Sequence, residues 1–141
     1  MSHRTTIALS DVHMTSSDLV ERALEVMGIT YTKNATIHST YISSERVEYR
    51  LDAWKDKPEN HLSSVGITRQ KGKEEYEIVG DFYMLHDAQN KWLSSANFEQ
   101  HITQAYHVAD VEEKMLSNGY GIMNMSENTE GEMVMTFSSG I

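Results

Sequence analysis

The chain has 141 residues, with 12 Lys and Arg against 21 Asp and Glu for a formal charge of −9, and it contains no cysteine. That length fits one domain over residues 1–141, and the missing cysteines exclude disulfides, thiolate metal sites and cysteine nucleophiles. An acidic chain lacks the clustered Lys and Arg that phosphate contacts require, no apolar run approaches the ~20 residues of a membrane helix, and the N-terminus has no signal-like apolar core; the expectation is a cytoplasmic protein that binds neither nucleic acid nor membrane.

Residues 4–9 read as a first strand. Leu19, Val20, Ala23, Leu24 and Met27 then recur at helical spacing, with Ser16 or Ser17 able to cap them and Gly28 able to stop them. The spacing predicts a helix over 17–27. A Thr-rich extended stretch follows from Ile29 to Tyr41. Val47, Tyr49, Leu51 and Ala53 alternate with Glu48, Arg50 and Asp52, the pattern of a half-buried antiparallel strand. Residues 55–60 carry the only proline, Pro58, and read as a loop.

Residues 65–69 and 76–85 flank Lys71-Gly72-Lys73 and read as a hairpin. Residues 86–95, with Trp92, read as a loop. A longer helix is predicted over 96–117, burying Phe98, Ile102, Ala105, Ala109 and Leu116 and leaving His107, Asp110 and Lys114 outside. Residues 120–126 and 132–137 close the chain as a last hairpin. There are too few helices to cross over between all these strands. The pattern predicts an α+β domain, an antiparallel sheet with two helices packed on one face.

Several short motifs occur in a recognisable order: Met1-Ser2-His3 with Thr6-Ile7, Glu25-Val26-Met27-Gly28, Tyr76-Glu77-Ile78-Val79-Gly80-Asp81, Gln104-Ala105-Tyr106 and Asn118-Gly119-Tyr120. Taken together they resemble the conserved hypothetical reading frame thirty-five of plastid and cyanobacterial genomes. The chain departs from that family over 34–63 and in its closing Phe137-Ser138-Ser139-Gly140-Ile141, as a divergent, organellar or viral member would. The resemblance implies a compact α+β domain and an AAA-type ATPase as a partner. It brings no catalytic residues. It also implies the plastid stroma for a plastid-encoded chain, or the host cytoplasm for a viral one.

Three groups of residues invite chemistry. Met123, Met125, Met133 and Met135 lie in the last hairpin, where Met-x-Met spacing puts thioethers on one face. They read either as core filling or as an adaptable interaction surface. The seven histidines show neither HxH nor HxxxH spacing, so no metal site and no cofactor are expected. Glu75, Glu77 and Asp81 alternate along one strand, the mark of its wet face.

No Gly-rich phosphate loop, GxSxG elbow or HExxH motif is present. The leading expectation is therefore a non-enzymatic interaction protein, an adaptor or regulator of a larger complex. The alternative is a small-molecule binder or enzyme, with a pocket between sheet and long helix near Tyr76, Asp81, His101 and Tyr106. A third reading is a viral inhibitor of a host protein. The sequence leaves the oligomeric state open.

Overall fold

The computed structural model describes residues 5–7, 14–38, 44–127 and 133–139, and for 5–7, 120–127 and 133–139 only the course of the backbone. Its elements run β1 (Thr5–Ile7), α1 (Ser17–Met27), β2 (Ile29–Ile37), β3 (Glu45–Trp54), β4 (Lys57–His61), β5 (Val65–Arg69), β6 (Tyr76–Gly80), α2 (Ser95–Ser117), β7 (Tyr120–Glu127) and β8 (Met133–Ser139). Five strands form an antiparallel sheet in the order β1-β6-β5-β3-β2, and β4 adds to it by pairing with β3. β7 and β8 make a separate two-stranded sheet. This is the α+β architecture read from the pattern.

α1 forms where its spacing places it. The Ser16 hydroxyl accepts from the Leu19 amide at the start, and Gly28 stops the helix at φ 76°, in the left-handed region that favours glycine. α2 is capped by Ser94, whose side chain accepts from the Asn97 amide. Leu19, Val20, Ala23 and Leu24 of α1 join Phe98, Ile102, Ala105 and Ala109 of α2 in one core with Tyr49, Leu51, Ile67 and Ile78 of the sheet. The two helices run side by side in the same direction. Tyr106 reaches the backbone at residues 15 and 16, and Arg22, six residues on, reaches Glu112, six residues on.

Three expectations are corrected. Leu116 is not buried but 52% exposed: the helical stripe continues past the end of the core, so its last turn overhangs into water. Of the loop read over 55–60, residues 55–56 form a turn, but 57–60 belong to strand β4, and Pro58 is tolerated because β4 is an edge strand paired on one side only. The strand from Tyr76 ends at Gly80, not at Leu85. The extended stretch from Ile29 forms β2 as far as Ile37, and its expected continuation to Tyr41 lies outside the described residues. α2 also buries Tyr106 and Val108, a wider face than the predicted stripe.

In the last hairpin the backbone register pairs Met125 with Met135 and Glu127 with Met133, and it shifts between Ile122 and Asn124, passing over Met123. The packing of the methionine side chains lies outside the described residues.

Candidate functional site

The residues expected to line a pocket have separate placements. Tyr76 and Tyr106 are both buried and meet around one segment. The Tyr76 amide donates to the Met14 carbonyl at 2.7 Å, while the Tyr106 hydroxyl accepts from the Thr15 and Ser16 amides at 3.3 and 3.2 Å. Both residues thus pin the strand-like entry to α1. Asp81 lies five residues along the chain from Tyr76, roughly 16 Å at ~3.3 Å per residue. His101 is exposed on α2, about 140° around the helix from Tyr106 at 3.6 residues per turn. The four do not form one cluster.

Beneath α1 lies a ladder of tyrosines drawn from three strands, Tyr31 of β2, Tyr49 of β3 and Tyr76 of β6. The Tyr31 and Tyr49 rings meet edge to face at 5.6 Å, and Tyr49 and Tyr76 lie 6.1 Å apart. Glu21 of α1 receives the Tyr49 hydroxyl at 2.7 Å, the Tyr31 hydroxyl at 3.4 Å and the Lys33 ammonium at 3.0 Å. Burial pulls the Glu21 carboxyl upward, but hydrogen bonds from Tyr49 and Lys33 outweigh it and hold it below the usual glutamate value. Burial, followed by the Glu21 hydrogen bond, pushes the Tyr49 phenol up. At the ladder's far end, the Arg69 guanidinium stacks 4.6 Å from the Tyr76 ring centre and grips Glu48 at 2.8 and 3.1 Å. The Tyr76 hydroxyl is buried with no hydrogen-bond partner among the described residues. The Glu21 contacts tie α1 to the sheet, and the Arg69 and ring contacts tie neighbouring strands to one another.

The surface differs at residues 81–93, between β6 and α2. Tyr83, Met84 and Trp92 are 69%, 56% and 61% exposed. Their backbone is nonetheless fixed. The Asp81 amide donates to the Ser64 carbonyl at 3.0 Å, the Ser64 hydroxyl donates to the Asp81 carbonyl at 2.6 Å, and the Asp81 carboxylate takes the Tyr83 amide at 2.9 Å. His86 and Trp92 form an antiparallel bridge, with their rings 4.9 Å apart. Beyond it, the Asp87 carboxylate receives the Gln89 and Lys91 amides at 2.8 and 2.9 Å, closing a tight turn.

Two residues outside the loop hold it to the sheet. The Trp54 indole donates to the His86 carbonyl at 3.0 Å, and the Asn60 amide donates to the Asp87 carbonyl at 2.7 Å and the Asn90 side-chain oxygen at 2.9 Å. Phe82 anchors the near end, 5.7 Å from Phe98. Met84 itself holds φ 64°, a left-handed conformation that costs a residue with a long side chain about 1–3 kcal/mol and persists only where its surroundings impose it.

Sequence reasoning placed Trp92 in a loop but missed Tyr83 and Met84, because it extended the strand through Leu85. The available signal was the Gly80-Asp81 break followed by aromatic residues flanking Asp87 and Asn90. Among the described residues there is no group of three His, Asp or Glu side chains able to hold a metal ion, and no helix long and apolar enough to cross a membrane. The chain matches no protein-family model, no curated protein and no solved structure.

Proposed function

We propose that the protein is a small non-enzymatic interaction protein, an adaptor or regulator of a larger complex, and that it docks through residues 81–93. The observation that supports this reading is the combination of three large, mostly exposed side chains with a backbone braced at both ends. Tyr and Trp are the residue types that dominate binding energy at interfaces, and Met adapts to irregular surfaces. A loop already held in one conformation loses little entropy on docking. The strained Met84 backbone fits the same reading, since it holds a side chain that is more than half exposed. An ATPase assembly, as the family resemblance implies, is the first complex to test.

The test is quantitative capture from the native host, comparing wild type with a Tyr83→Ala, Trp92→Ala double variant. A stoichiometric partner lost by the variant at an unchanged melting temperature supports the reading. Equal capture by both proteins removes the loop from it. The absence of any stoichiometric partner counts against the interaction reading as a whole.

A further inference from the structure

The second sheet consists of β7 and β8 alone, and no third strand lies beside either of them among the described residues. A two-stranded hairpin on its own is marginal in water and needs further strands or a helix against it; α2 lies against this pair, but the outer edge of β8 has no strand beside it among the described residues. Natural edge strands are guarded by lysine, proline or a bulge. On β7 the sequence supplies such guards: the register shift between Ile122 and Asn124, and Glu127 at its end. β8 reads Met133-Val134-Met135-Thr136-Phe137-Ser138-Ser139, seven residues with neither charge nor proline. In a chain of net charge −9, whose copies repel one another, β8 is an edge along which two copies meet without opposing like charges.

We propose that β8 pairs antiparallel with β8 of a second copy of this chain, about a two-fold axis at Thr136, giving a four-stranded sheet that spans two molecules. The sequence of the strand argues for this occupant. A two-fold contact must be self-complementary. The register centred on Thr136 is the one that pairs all seven residues of both strands: Met133 with Ser139, Val134 with Ser138, Met135 with Phe137, and Thr136 with its own copy. It sets methionine opposite an aromatic residue and threonine opposite threonine, both favourable cross-strand combinations. This surface is distinct from residues 81–93, so the two proposals stand or fall separately.

The full chain tests it, helped by its lack of cysteine. Wild type should sediment as a concentration-dependent dimer. Under mild oxidation Thr136→Cys should become a covalent dimer, because directly opposed Cα atoms lie about 4.5–5.5 Å apart in an antiparallel pair, within disulfide reach. Ser138→Cys should not, since its two copies would stand about 14 Å apart at ~3.4 Å per residue. Thr136→Lys, at the position the register pairs with Asn124, should weaken the dimer several-fold while keeping the wild-type circular-dichroism spectrum. A wild type monomeric at every concentration, including one whose β8 is captured by another protein's strand, overturns the proposal. So does cross-linking at 138 as fast as at 136, or a dimer that Thr136→Lys leaves intact.

Discussion

The tyrosine ladder under α1 and the loop at 81–93 use similar aromatic residues to opposite ends. In the ladder, Tyr49 and Tyr76 are 4% and 1% exposed, and the Tyr49 hydroxyl is tied to Glu21. In the loop, the hydrogen bonds serve the backbone instead, and Tyr83 and Trp92 are left in water. Aromatic surface that stabilises the fold is covered, and two of the ladder's three hydroxyls, those of Tyr31 and Tyr49, end on the Glu21 carboxylate. Aromatic surface that the fold goes to the trouble of bracing, yet leaves uncovered, is available to something else.

Gly80 is the joint between these two regions, and breaking it should have the largest effect. Its φ of 131° suits glycine alone, and a Cβ there would run into the Ser64 carbonyl oxygen and come within 2.8 Å of the Val65 Cα. Both obstacles are backbone, so neither can swing aside. Gly80→Ala should cost about 4 kcal/mol or more, at the severe end for a single substitution. Chemical denaturation measures it, and a loss under 1 kcal/mol would mean that β6 leaves the sheet by another path.

A second contrast lies along α2. Phe98 is fully buried and in ring contact with Phe82, so Phe98→Ala should cost about 3–5 kcal/mol. Leu116, about five turns further along α2 in the overhang, should cost less than about 1 kcal/mol when changed to alanine. Equal losses at the two sites would place Leu116 in the core after all.

That overhang shows what a sequence can and cannot reveal. Periodicity gave α1 its limits and put Phe98, Ile102, Ala105 and Ala109 inside, because those positions answer to one neighbouring surface. It carried Leu116 too far, because a stripe says which way a side chain points and not how far the facing core extends. Likewise Pro58 marks a break in any ladder from outside, yet an edge strand needs partners on one side only. The loop was least legible. Its order depends on Trp54 and Asn60, which are more than two dozen residues away from the groups they hold. Local pattern contains no trace of such pairings.

The ladder can be weakened at its polar tip. Tyr49→Phe removes the 2.7 Å bond to the Glu21 carboxylate while keeping the ring, and should cost about 1.5 kcal/mol, as hydrogen bonds to charged groups do. The change should also alter the acid limb. Glu21 binds its proton less readily folded than unfolded, so its stabilisation is present above its ordinary value of 4.5 and is lost as pH falls through the lower folded value. Without the Tyr49 bond that gap narrows, and stability should fall less steeply with acid. On the alkaline side the sign reverses. Tyr31, Tyr49 and Tyr76 are all raised above 10.0, so stability should decline as pH climbs past 10.0 and the unfolded chain ionises first. Denaturation midpoints for both proteins across these ranges check the two limbs, and parallel acid limbs would sever the link between Tyr49 and Glu21.

Only a small effect on stability should come from the tryptophan that the proposed function needs most. The chain has two tryptophans: Trp54 is 7% exposed within the core and bonded to the His86 carbonyl, and Trp92 is 61% exposed above His86. Iodide should therefore quench the emission of a Trp54→Phe variant strongly and that of a Trp92→Phe variant weakly. Trp92→Ala gives up the ring contact with His86 but keeps the bridge between the two residues, which is made by backbone, and should cost about 1 kcal/mol. Its effect on docking should be far larger, because truncating an interface tryptophan commonly costs 2 kcal/mol or more, a loss of roughly thirtyfold in affinity. The comparison sharpens to one ratio: at Trp54 the loss should be in folding, and at Trp92 in binding. A Trp92→Ala protein that unfolds readily would move this residue into the scaffold, and the exposed face would then rest on Tyr83 and Met84 alone.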